Sequence, residues 1–173
     1  LMAGIDPLRN PEPLLRRVYA YVAYRVHDRS EAEDITSETF ERALRYRNTF
    51  DPHKGDAVAW LLGIARRCVY DASLRPRTER PEHEPASTDE VEDEVVTRVA
   101  LSAALATLNA SDRDLLALRY GADLSTREIA RLLDMRRNAV DVALSRARTR
   151  LRAVLEGQPP ARPVASRLAQ DGL

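Results

Sequence analysis

The chain has 173 residues carrying 27 basic and 27 acidic side chains, so its formal net charge is zero. That balance excludes a uniformly basic DNA-coating protein and an acidic disordered one, and the single cysteine, Cys68, excludes an internal disulfide framework or a cysteine-cluster zinc site. Six glycines, few aromatics and 44% hydrophobic residues suit an all-α protein better than a sheet protein.

In chain order, the first predicted helix begins near Pro13, with Leu15, Val18, Val22 and Val26 at helical spacing. Ser30 with Glu33 reads as a capping box opening a second helix that runs to about Arg47, with Ala32, Ile35, Thr39 and Ala43 on one stripe and Phe40 and Leu44 beside it. Asp56 is a good N-cap for a third, which carries Val58, Leu61, Leu62, Ala65 and Val69. Residues 79–94 then hold eight acids against one base, together with Pro81 and Pro85. Residues 76–91 are therefore expected to be a flexible acidic linker. Beyond it, a helix over about 92–107 carries Val95, Val99, Ala103 and Ala106, and Ser111 with Asp114 opens another that ends near Gly121. Ser125 with Glu128 opens a short helix, and the last runs from about Arg137 to Leu155. The tail, 157–173, has three prolines and no apolar period, and is expected to be disordered. The fold class is thus all-α: two small helical domains, 11–75 and 92–156, joined by the linker.

Residues 124–152 carry the clearest functional pattern. A capped short helix with Ile129, Ala130, Leu132 and Leu133 inward is followed by a break at Asp134-Met135-Arg136. A longer helix then places Val140, Leu144, Ala147 and Leu151 inward. This is helix-turn-helix spacing, whose second helix enters a DNA major groove. The segment holds eight arginines against three acids. Arg136, Arg137, Asn138 and Asp141 cluster at the end of the second helix that meets base edges, where Arg reads guanine and Asn reads adenine. Arg127 joins them, while Arg146, Arg148, Arg150 and Arg152 suit phosphates. Upstream, residues 28–41 hold six acids against one base, a face suited to a basic protein surface rather than to DNA.

Here the chain resembles the bacterial RNA polymerase sigma factors, in particular the compact extracytoplasmic-function (ECF) class. LSTREIARLLDMRRNAVDVALSRARTRLRAVL (124–155) is similar to their last domain, AEDITSETFERAL (32–44) to their acidic polymerase-binding helix, and AVAWLLGIARRCVYDASLR (57–75) to their promoter-melting helix. The resemblance implies that Asp34 and Glu38 bind core RNA polymerase. It also implies that the loop before the third helix receives a base of the melted promoter strand, where Phe50, Lys54, Arg66, Arg67 and Arg75 supply a stacking surface and donors. The helix-turn-helix would then read the upstream promoter element. Promoter DNA and core polymerase are the partners implied, and the resemblance admits an anti-sigma protein as a third. Asp134 stands where the family commonly has Gly, and Asp141 where it commonly has Lys.

The alternative is a free-standing helix-turn-helix regulator. No phosphate loop or metal-histidine pairing is present, and His27, His53 and His83 are scattered, so neither an enzyme nor a bound cofactor or metal is expected. No apolar run reaches the roughly 18 residues of a membrane span, so a cytoplasmic protein without membrane insertion is expected.

Overall fold

The computed structural model describes residues 6–26, 28–75 and 92–157, the side chains of 92–98 excepted. The expectations for the linker, 76–91, and for tail residues 158–173 lie outside the described residues. Among the described residues there are seven α-helices: α1 (Pro11–Arg25), α2 (Arg29–Tyr46), α3 (Ala57–Ser73), α4 (Glu92–Thr107), α5 (Ala110–Leu116), α6 (Thr126–Leu132) and α7 (Arg137–Leu155). A single 3₁₀ turn, Arg47–Thr49, follows α2, and α5 runs on into a wider π-type turn, Ala117–Gly121. Among the described residues there is no strand, so the all-α reading holds.

Two helix starts differ from the sequence reading. Asp28, not Ser30, caps α2, its carboxylate accepting from the Glu31 N–H at 2.7 Å. Asn109, not Ser111, caps α5, accepting from the Asp112 N–H at 2.8 Å. In both cases a better acceptor lies two residues upstream, and the helix extends back to it. Asp56 and Ser125 cap α3 and α6 as expected, and Ser125 and Glu128 form the reciprocal box. Those hydrogen bonds from Ser125 hold the Glu128 carboxyl below its usual range.

In the first region, α1, α2 and α3 pack around Val18, Val22, Ile35, Ala43, Leu61, Leu62 and Ala65. On α1 only the first position of the expected stripe differs: Leu14 is buried and Leu15 is exposed, while Val18 and Val22 are buried as expected. Leu44 of α2 is exposed too. Thr36 and Thr39 sit in this core with their hydroxyls donating back to the Ala32 and Ile35 carbonyls at 2.7 Å each, so neither is left unsatisfied. Cys68 is buried here, and burial pushes its thiol pKa up, which makes it an inert packing group.

In the second region α4 presents Ala104 and Leu105 inward, followed by the buried Leu108 just past its end, while Val99, Ala103 and Ala106 are exposed, so the buried face is not the one the sequence suggested. The partner of α4 decides this: Leu105 and Leu108 join Ala147 and Leu151 of α7 in a small cluster with Leu116. Arg113 closes the end of α4, donating to the carbonyls of Leu105, Ala106 and Leu108 at 2.8–3.0 Å.

The two regions share one core. Val18, Tyr21 and Val22 of α1 belong to the same buried cluster as Leu115, Leu118, Ala122, Leu124 and Ile129. Gly121 permits the close approach, since a Cβ there would lie 2.8 Å from the Ala20 carbonyl oxygen. Arg17 then donates to the Ala122 and Asp123 carbonyls, and Arg25 to the Ala110 carbonyl. Asp114 is the polar centre of the contact. It accepts from the Tyr21 hydroxyl at 2.7 Å and from Arg66 Nε at 3.0 Å, with Arg25 Nε 3.7 Å away. Burial, reinforced by the Asp114 charge, raises the Tyr21 pKa well above its ordinary value, so the phenol remains a donor.

Candidate nucleic-acid and polymerase interfaces

The helix-turn-helix is α6, the turn Leu133–Arg136, and α7. The chain leaves α6 through a Schellman ending: Met135 N–H donates to the Ala130 carbonyl at 2.8 Å and Asp134 N–H to the Arg131 carbonyl at 3.3 Å. This ending needs a left-handed residue, and Asp134 supplies it with φ of 52°. Ile129, Val140, Leu144 and Ala147 are buried, which fixes the rotation of α7 and leaves its opposite face in solvent. Arg136, Arg137, Asn138 and Asp141 are exposed together at the start of α7, and Arg127, Arg146 and Arg148 are exposed as well. Arg137 lies 4.0 Å from Asp141, one turn on. Arg136, Arg127, Arg146 and Arg148 form no ion pair among the described residues. Val142 is also exposed on this helix, an apolar group among charges that the sequence reading did not single out. Arg150 departs from its expected role as a phosphate anchor. It donates to the buried Asp112 at 2.6 Å, and Asp112 in turn takes a hydrogen bond from the Asn109 side chain at 2.8 Å.

On the first region the candidate residues lie around α3 and the loop before it. Phe50 is half-buried edge-on to Trp60, with ring centroids 5.6 Å apart at 64°, so one edge of the ring is packed. Lys54 is exposed, 4.0 Å from Asp51. Arg66 is not on the same open surface, because it reaches across to Asp114 of the second region. Arg67 pairs with Asp71 at 3.1 Å and lies over the exposed Tyr70 ring at 5.6 Å. Arg75 reaches Glu38 at 3.5 Å.

The acidic α2 divides into two kinds of carboxylate. Asp34 is exposed and makes no ion pair among the described residues. Glu38, one turn later, is held by Arg42 and Arg75. Arg42 also donates to Asp71 at 3.0 Å, and so joins α2 to α3. Sequence reasoning missed Arg42, Asp71 and Asp114. The signals available were weak: Arg42 stands four residues after Glu38, and Asp71 is the lone acid of a basic stretch. Among the described residues no group of three or more His, Cys, Asp or Glu side chains could hold a metal ion, and no helix is long and apolar enough to cross a membrane.

Residues 12–78 match the family model for sigma-70 region 2, and residues 98–151 match that for sigma-70, region 4. The chain is 38% identical over 139 residues to the ECF RNA polymerase sigma factor BldN of Streptomyces coelicolor, covering 75% of this chain and 53% of that protein. The chain therefore spans about half the length of this relative. It is 27% identical over 146 residues to the ECF RNA polymerase sigma factor SigL of Mycobacterium tuberculosis, covering 80% of this chain and 82% of that one. Its fold is similar to that of the sigma factor RpoE, solved in complex with the anti-sigma factor NepR from Bartonella quintana. The TM-score is 0.62 at 21% identity, over 83% of this chain and 92% of that one. With region 2 placed on α1–α3 and region 4 on the helices that include the helix-turn-helix, the chain belongs to the sigma-70 family, in its extracytoplasmic-function class.

Proposed function

We propose that this chain binds core RNA polymerase and directs it to promoters, supplying promoter recognition and transcription initiation while the polymerase supplies the chemistry. In this role it is a dissociable transcription factor of the cytoplasm rather than an enzyme. The observation that carries the reading is the separation of charge: an acidic α2, on which Asp34 has no ion pair among the described residues, stands apart from an α7 whose start exposes Arg136, Arg137, Asn138 and Asp141. A free-standing regulator has no use for that acidic face.

The α7 start reads the upstream element, with Arg136, Arg137 and Asn138 as donors to base edges, Asp141 as an acceptor for cytosine N4, and Val142 as apolar contact for a thymine methyl. Arg127, Arg146 and Arg148 anchor phosphates. Phe50, Lys54, Arg66, Arg67 and Arg75 serve the melted element, and Asp34 with Glu38 serves polymerase. Neither DNA contact has to be tight alone, because polymerase holds both regions on one promoter. An anti-sigma protein as a further partner is supported by the complex in which RpoE was solved.

In-vitro transcription with core polymerase on genomic fragments tests the reading. Discrete start sites that depend on the added chain are expected. A chain that gives none, and that shifts a symmetric duplex without polymerase, would be a regulator instead.

A further inference from the structure

Five side chains form one alternating ion-pair path across the α2–α3 face: Arg75, Glu38, Arg42, Asp71 and Arg67. Each carboxylate is shared by two arginines. Arg42 is the only member that touches both carboxylates, giving NH2 to Glu38 and NH1 to Asp71. Glu38, Arg42 and Asp71 have side chains only 27–29% exposed, whereas Arg67 and Arg75 at the ends are 70% and 56% exposed. The centre of the path is therefore sheltered and its ends reach solvent.

This arrangement has a physical consequence. A cation brought to Glu38 competes with Arg42 and Arg75 for the same two oxygens. Arg75 then loses its partner outright. Arg42 turns its freed hand towards Asp71, which weakens the hold of Asp71 on Arg67. The planar guanidinium fork makes this transfer feasible, since it meets the two carboxylates with separate nitrogens held at a fixed spacing, a geometry that the single nitrogen of an ammonium does not reproduce.

We propose that Arg42 is a positioning residue that couples engagement of polymerase at Glu38 to release of Arg67 and Arg75 for the promoter strand. The proposal rests on the assignment of Glu38 to polymerase and of Arg67 and Arg75 to DNA, and adds the linkage between them. The linkage is reciprocal, so events at Asp71 alter polymerase affinity as well.

The test uses the full chain and two probes. The first is a fluorescent oligo(dT) strand at low salt. In an Arg75→Ala background, Glu38→Gln should still tighten binding by about twofold, the scale of one partly exposed ion pair. Adding Arg42→Ala should abolish that remaining gain. A gain that persists without Arg42 would be a general effect of removing a negative charge and would overturn the proposal, as would the absence of any gain. The second probe is core polymerase. Asp71→Asn should weaken its binding by about two- to threefold when Arg42 is present, because Arg42 then closes more fully on Glu38, and should have no effect in Arg42→Ala. An Arg42→Lys chain should behave as Arg42→Ala in both arms. If the unaltered chain fails to bind core polymerase, the functional reading itself falls and the linkage with it. If it binds but the Asp71 effect does not depend on Arg42, only the linkage falls.

Discussion

The arginines of α3 and those of α7 are held in opposite ways. On α3, Arg66 is tied to Asp114 of the other region and Arg67 to Asp71, and Arg75 just beyond is tied to Glu38. On α7, Arg136, Arg146 and Arg148 stand in solvent without an ion pair among the described residues. The region 4 surface is thus formed in advance, while the region 2 surface is occupied by the protein's own carboxylates. The difference shows why charge counted along the sequence is a poor guide to charge that is available. If α7 meets a duplex and α3 a single strand, as proposed, the duplex finds its arginines free of ion pairs among the described residues, whereas the strand must displace Asp114, Asp71 and Glu38 from the arginines they hold.

The same contrast applies to the acids, and it gives the largest expected effect. Asp34 is an exposed carboxylate of α2 with no ion pair among the described residues, so Asp34→Arg should abolish co-purification with core polymerase while circular dichroism stays unchanged, since like charges brought together cost several kcal/mol, of order 3. Next come the residues proposed to read bases at the start of α7. Arg136→Ala and Arg137→Ala should each cost about 1–3 kcal/mol on the upstream element and relax preference at one position. Arg150→Ala should behave differently: it strands the buried Asp112, so a loss of thermal stability should accompany any loss of DNA affinity.

The contact between regions offers a third comparison. Gly121→Ala should destabilise the chain by about 1–3 kcal/mol in thermal unfolding, because the added Cβ meets backbone that cannot yield as a side chain would. The smallest effect belongs to the turn before α7. Asp134→Gly removes a left-handed non-glycine residue and should raise stability by about 1 kcal/mol without altering DNA preference.

Local signals carried much of this structure. The Ser125–Glu128 box, the buried Ile129 and Val140, and the Asp56 cap all follow from residues within one or two turns of each other. Caps failed where a second acceptor stood nearby, as with Asp28 ahead of Ser30 and Asn109 ahead of Ser111. The buried face of α4 was misread because Val99, Ala103 and Ala106 keep helical spacing as well as Leu105 and Leu108 do, and only the docking of α7 selects between them. The joining of the two regions was not legible at all. Tyr21 and Asp114 are 93 residues apart, and no periodicity records a contact across that distance. For the same reason Arg66 read as a free cation on a basic helix.

That last residue gives the most direct test. Asp114→Asn keeps an acceptor for the Tyr21 hydroxyl but removes the charge that holds Arg66. The affinity of the full chain for an oligo(dT) strand and for duplex DNA should be measured side by side, in the unaltered chain and the variant. If region 2 arginines are held in reserve and region 4 arginines are presented, single-strand affinity rises several-fold at low salt and duplex affinity does not change. Equal changes on both probes, or none on either, would contradict the distinction between the two surfaces.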